Sequence, residues 1–91
     1  MGNAAALKAW QALANAERVV AIELLAAVQA VEFHLQLEPG AGGRAACRLI
    51  RGLAPRLLED RSLAREIERV AEAVRSGELV AGVEAAVGTL M

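Results

Sequence analysis

Apolar residues crowd the first third of the chain until a polar face almost vanishes. From Val19 to Phe33 only Glu23, Gln29 and Glu32 interrupt them. Upstream, Lys8, Gln11, Asn15 and Arg18 recur at spacings of three and four and mark one polar stripe. Leu7, Trp10, Ala14 and Glu17 lie on a neighbouring line, which places Trp10 on the apolar side. The polar stripe nearly closes at Val19 and reopens through Gln29, Glu32 and Gln36. This spacing predicts one helix from about Asn3, a suitable N-cap, to about Leu37, with no Pro or Gly until Pro39-Gly40. Such a helix is buried at its centre and wetter at both ends.

Three shorter helices follow in the pattern. The Pro39-Gly-Ala-Gly-Gly43 run is the clear break. A second helix is expected from about Gly43 to Leu53, with Ala46, Leu49, Ile50 and Leu53 inward and Arg44, Arg48 and Arg51 solvated. Pro55 ends it, and Pro55 to Arg61 reads as a loop anchored by Leu57 and Leu58. Ser62 is the expected N-cap of a third helix, in which Leu63, Ile67, Val70, Ala71 and Val74 keep the helical period. Glu66–Arg69 and Glu72–Arg75 are i, i+3 pairs, and Gly77 suits a left-handed cap. A last helix is expected from about Glu78 to Val87, with Leu79, Val80, Val83 and Val87 apolar, Gly82 weakening it and Gly88 ending it. The fold class is therefore all-α: a long bundle helix over residues 1–38, then a C-terminal helical cap over residues 39–91, a helical-bundle fragment.

Length turns the first helix into a problem. About 35 residues at ~1.5 Å each make a rod of about 50 Å. A compact chain of this size has a radius of gyration of about 12 Å. No kink residue lies inside the rod, so packing against other chains or other segments is favoured over folding back. The contact residues expected there are Trp10, Glu23 and the Leu24/Leu25/Val28 face.

Composition narrows the function classes. The chain has 91 residues, 56% of them hydrophobic, enough to exclude a disordered segment. Net charge is −1 and aromatics are 2%, so neither a basic surface nor stacking partners for nucleic acid are present. Cys47 is the sole cysteine, which precludes an internal disulfide and fits a reducing compartment. The Val19–Val31 run is too short and too interrupted for a membrane span. No secretory leader pattern is visible, so a cytoplasmic location is the default expectation.

Each chemically suggestive residue carries a plainer reading beside the functional one. Glu23, deep in the apolar stretch, is either a general acid raised by burial or a structural carboxylate paired with an Arg or Lys of a neighbouring helix. The second is the commoner cause of such a placement. His34 has no ligand at metal spacing and suits a helix C-terminus, where the dipole favours a cation. Cys47 lies within one turn of Arg44, Arg48 and Arg51, which lowers a thiol pKa, but no base stands beside it and a small apolar role is simpler. Gly40–Gly43 before Arg44 is either an anion nest or a tight helix–helix turn, and it lacks the Gly-Lys-Ser/Thr ending of a P-loop. Arg56 and Arg61 flank Glu59-Asp60, as a neutralised loop or a docking site. No nucleophile, base and orienting group can be assembled, and no catalytic, cofactor or metal residue is assigned.

Three segments resemble one family. Val19–Phe33 resembles the long late helix of the histidine and aromatic amino acid ammonia-lyases. Leu58-Glu-Asp-Arg-Ser-Leu-Ala64, with Ile67-Glu68, is similar to that family's Glu-Asp-Arg-x-Leu-Ala loop and helix start. Val74-Arg-Ser-Gly-Glu-Leu-Val80 looks like its C-terminal end, and Met1-Gly2 corresponds to the Met-Gly step before the late helix. Order and spacing match over most of the chain, nearest to the bacterial histidine ammonia-lyases. Glu32 and His34 depart from the usual Asp and Arg around Phe33, and Arg65-Glu66 stands where Pro-Asp is common.

The resemblance implies a homotetrameric enzyme with a central helical bundle, to which this region supplies bundle helix and cap. It implies elimination of ammonia from L-histidine to trans-urocanate, with phenylalanine and tyrosine open as parent substrates. It also implies a methylidene-imidazolone group formed well upstream from Ala-Ser-Gly, and a catalytic Tyr and Gln-Glu/Asp segment that likewise precede this region. None of these motifs occurs here, so the isolated chain is expected to be inactive. The expected partners are further copies of the chain or the missing N-terminal lyase portion, not nucleic acid or membrane. The alternative is an autonomous, non-enzymatic helical oligomerisation or adaptor module.

Overall fold

In the computed structural model the chain folds as helices throughout its regular structure, and residues 2–34, 39–55 and 63–88 are described. Helix α1 spans Gly2–Phe33, α2 Ala41–Leu53, α3 Ala64–Ser76 and α4 Glu78–Val87. The all-α expectation holds, with one long and three shorter helices in the expected order.

The ends of the helices show which local signals acted. Asn3 lies inside α1 and does not cap it, because nothing at Gly2 or Asn3 opposes helical dihedrals. At the other end the His34 N–H is shared between the carbonyls of Ala30, at 3.1 Å, and Val31, at 3.2 Å. The expected continuation to Leu37 lies outside the described residues. Helix α2 starts at Ala41 rather than Gly43, capped by the backbone of Gly40. A Cβ at Gly43 would stand 2.8 Å from the Pro39 ring, so glycine lets the first turn close over the proline. The N-cap position of α3 is Leu63, which makes no side-chain cap bond. Ser62, expected there, lies outside the described residues, as do Leu57, Leu58 and the Arg56–Arg61 charges. Gly77 ends α3 with φ of 82°, and Gly88 follows α4 with φ of 95°.

Helix α1 packs mainly on α3, and α2 mainly on α4, with α3 bridging the two pairs. The core comprises Ala21, Val28, Ile50, Ala54, Val70 and Ala71, with Leu24, Leu25, Cys47, Ile67 and Leu79 against it. Ile50 and Val70 are the largest fully buried side chains, and alanines fill much of the rest. Alanine buries little area but lets helix axes approach. Leu49 sits over Gly82, where an added Cβ would come within 2.6 Å of its Cδ1. Gly82 therefore makes room for a side chain of α2 while lowering the local helix propensity of α4.

The result is long and thin. The principal extents are 54 × 37 × 18 Å and the radius of gyration is 15.1 Å. That exceeds the value of about 12 Å for a compact chain of this length. The excess is α1, which overhangs the helices beneath it.

Candidate functional surface

Cross-helix ion pairs among the described residues hold α1. Arg75 Nε donates to Glu17 Oε2 at 2.9 Å, while its Nη1 reaches Glu72 at 2.7 Å. Arg18 Nε meets Glu68 Oε1 at 2.6 Å, with both side chains about half exposed. Arg51 grips Glu32 with two bonds, Nη2 to Oε1 at 2.6 Å and Nε to Oε2 at 2.9 Å. The same guanidinium donates to the Ala54 carbonyl at 3.1 Å and so closes the end of α2. Paired N–H donors on one carboxylate give direction as well as strength.

Two of these contacts raise the pKa of their arginine, Arg51 and Arg75, above the ordinary range. For Arg51 the hydrogen bond to Glu32 is the main cause, partly opposed by burial and helped by the charge of Glu32 and by Cys47. For Arg75 the hydrogen bond to Glu17 leads, then the charges of Glu17 and Glu72. The arrangement fastens helices together.

The expected contact residues fall into two sets. Val28 is 3% exposed, and Leu24 and Leu25 pack half-buried against the chain's own core. Trp10 is 70% exposed, and Glu23 is exposed as well. Within this chain, then, Glu23 is not enclosed, and the position among apolar neighbours in sequence did not translate into burial. The carboxylate of α1 that is buried is Glu17, at 9%. Its signal was its place on the line through Leu7, Trp10 and Ala14. Arg51 was expected on a solvated face and is half-buried on Glu32, a pairing across tertiary space that no local spacing announces.

Helix α1 meets its neighbours along one side only. Leu7, Trp10 and Leu13 continue that same side toward the N-terminus of α1 and are 58%, 70% and 58% exposed. Val19, Ile22 and Phe33 face away from the core, also half or more exposed. The expected all-round enclosure of this helix is thus met on one side within this chain.

Among the described residues the remaining candidates stand apart from these ion pairs. Cys47 is half-buried against the core, and His34 is exposed. The Gly40–Gly43 run is a helix–helix turn in which Arg44 Nη1 bonds the Pro39 carbonyl at 3.4 Å. A shallow groove of about 280 Å³ between α2, α3 and α4 has Arg48 and Glu78 on its walls and leucines as its floor. Among the described residues no group of three or more His, Cys, Asp or Glu side chains could hold a metal. Nor is any described helix long and apolar enough to cross a membrane.

Comparison with known proteins places this surface in context. The family model for aromatic amino acid lyase matches residues 1–52. The chain is 46% identical over 90 residues to a histidine ammonia-lyase of Gloeobacter violaceus, covering 99% of this chain and 18% of that protein. It is 48% identical over 86 residues to that of Myxococcus xanthus, covering 94% and 17%. For that of Symbiobacterium thermophilum the figure is 51% over 90 residues, covering 99% and 18%. The chain spans less than a fifth of the length of these relatives. No solved structure matches it. With more than half of its residues within the family model, and near-complete alignment to proteins of one kind, the chain belongs to the aromatic amino acid lyase family.

Proposed function

We propose that the chain supplies a bundle helix and a C-terminal cap to a histidine ammonia-lyase-like enzyme, whose reaction converts L-histidine to trans-urocanate and ammonia. Its part is scaffold and subunit contact, in a cytoplasmic setting. The observation that carries this reading is the apolar length of α1 left open to water, from Leu7 to Phe33. A fully buried large aliphatic or aromatic side chain is worth about 1.5–3 kcal/mol relative to an exposed one. A helix that leaves several unburied is suited to an assembly larger than this chain. The sequence contains no Ala-Ser-Gly run, so the residues present do not fit the formation of a methylidene-imidazolone group. No chemical step is assigned to this chain.

Co-expression with the N-terminal portion of a histidine ammonia-lyase, ended where the alignment begins, tests the proposal. The two parts should co-purify, and urocanate absorbance should appear only when both are present. Absence of both co-purification and activity would overturn it.

A second reading, an autonomous non-enzymatic oligomerisation or adaptor module, draws support from one feature. The chain closes a core of its own and ties α1 to the cap through Glu17–Arg75 and Glu32–Arg51. Light scattering and thermal melting separate the two. An oligomer that melts cooperatively alone and ignores the lyase portion favours the module, whereas a chain that firms up only with that portion favours the scaffold.

A further inference from the structure

We propose that the groove between α2, α3 and α4 binds a free α-amino acid with a branched apolar side chain, its carboxylate on Arg48 and its ammonium on Glu78. Helix α2 supplies one wall of the groove. Arg48, Gly52 and Leu53 fall at i, i+4 and i+5, on one face of that helix. Ala73 of α3 and Leu79 of α4 complete the apolar floor. Glu78, in the first turn of α4, stands on the side away from α2.

Gly52 helps to hold the groove open. An added Cβ there would meet nothing within 4 Å, and its φ is not positive. Neither a turn nor a close approach calls for glycine at this position, and alanine is the better helix former. Gly43 and Gly82 differ, since each makes room for a neighbour within the chain, Pro39 and Leu49. The side chain missing at Gly52 is space left to the groove.

The two charges are of opposite sign and come from different helices. Both side chains are exposed, and among the described residues neither forms an ion pair. Nearby arginines are engaged: Arg51 holds Glu32, and Arg69 donates to the Leu53 carbonyl at 3.5 Å. Arg48 is thus left to offer its fork of N–H donors to a carboxylate. An α-amino acid carries a carboxylate, an ammonium and a side chain on one carbon. One molecule then meets both charges and lays its side chain on Leu53 and Leu79. A peptide segment brings only one of those end charges.

Size and polarity narrow the ligand. At about 30 Å³ per water, 280 Å³ holds about nine waters, hence about nine non-hydrogen atoms, the size of leucine or isoleucine. Histidine fits less well, because its ring nitrogens would lose water over an apolar floor without gaining a partner. The site is therefore separate from the lyase reading, and each can fail without the other. Exposed charges and a shallow floor make binding weak, with a dissociation constant on the order of 1 mM.

The test is titration of the isotope-labelled full chain with L-leucine, followed amide by amide by NMR. The amides of Gly52, Leu53, Glu78 and Leu79 should shift together and saturate. Leucinamide, which lacks the carboxylate, and N-acetyl-leucine, which lacks the ammonium, should each bind about fivefold more weakly. L-Histidine should bind about tenfold more weakly. Arg48→Gln should erase the preference over leucinamide and keep that over N-acetyl-leucine, and Glu78→Gln should do the reverse. Gly52→Leu, which fills the groove with its own side chain, should abolish the shifts while helical circular dichroism is retained.

The proposal is overturned by the absence of saturating shifts at these amides, or by equal affinity for leucine, leucinamide and N-acetyl-leucine. Histidine binding as well as leucine overturns it too, as does a folded Gly52→Leu chain that still binds. Should Gly52→Leu lose its helicity, the two glutamine variants, altered only at exposed side chains, decide through the exchanged preference alone.

Discussion

At the scale of single residues, glycines and ion pairs make the sharpest predictions. Gly43 and Gly52 are both helical positions of α2, yet alanine should act oppositely at the two. At Gly52 nothing lies within 4 Å of an added Cβ, so Gly52→Ala should stabilise by about 0.5–1 kcal/mol through helix propensity. At Gly43 the Pro39 ring, 2.8 Å away, cannot swing aside, and Gly43→Ala should cost about 1 kcal/mol. Urea denaturation of both variants checks the signs. The Glu32–Arg51 pair should show a favourable coupling of about 1–2 kcal/mol in a double-mutant cycle, as a partly buried, doubly bonded pair. Its arginine has a raised folded-state pKa, so the stability tied to Arg51 ionisation is fully present below the ordinary arginine range. It is lost only as pH climbs through the raised value. Stability measured from about pH 7 to about pH 10 should therefore show no loss attributable to this guanidinium. These residues also mark a limit of reading. Gly77 was legible as a left-handed stop because cap chemistry is local, and α4 then begins where expected. Arg51 was not, because three arginines at helical spacing look alike until another helix supplies a carboxylate to one of them.

At the scale of elements, α1 is the helix whose sequence said most and misled most. Its length was readable from the lack of Pro and Gly, but the fading polar stripe predicted a buried centre, and only Ala21 and Val28 on one side of that stretch are buried. Periodicity did not reveal which side would be covered. Around the middle of α1 nearly every face is apolar, so burial was decided by where α3 lies, and Glu23 and Val19 ended outside while Glu17 and Ala21 ended inside. Trp10 gives this element a built-in reporter. It sits on the core-side line of α1 and is 70% exposed. Its fluorescence in the isolated chain should be red-shifted and readily quenched by acrylamide. It should turn blue when the N-terminal lyase portion covers that side. A Trp10 shielded in the isolated chain would contradict the exposure of the overhang.

For the whole molecule, the balance of stability falls on a few side chains. Ile50, 1% exposed and in the central cluster, should cost about 2–5 kcal/mol when replaced by alanine. That is a large share of the total for a small domain, so Ile50→Ala should lower the melting temperature steeply. Removing residues 2–13 should barely move it, since this segment is exposed throughout, even though helical circular dichroism would fall. A truncated chain that failed to fold would show that the overhang shapes the body beneath it.

The short axis of 18 Å carries a last consequence. A helix with its side chains is about 10–12 Å across, so the body is a lamina no more than two helices deep. Such a lamina has two broad faces and a thin inside, held by Ile50, Val70 and a few alanines. Amide protons along it should trade with deuterium through small local openings rather than through global unfolding. Slow exchange would then arise chiefly by stacking one sheet of helices upon another, and deuterium uptake followed before and after assembly would report lamination amide by amide.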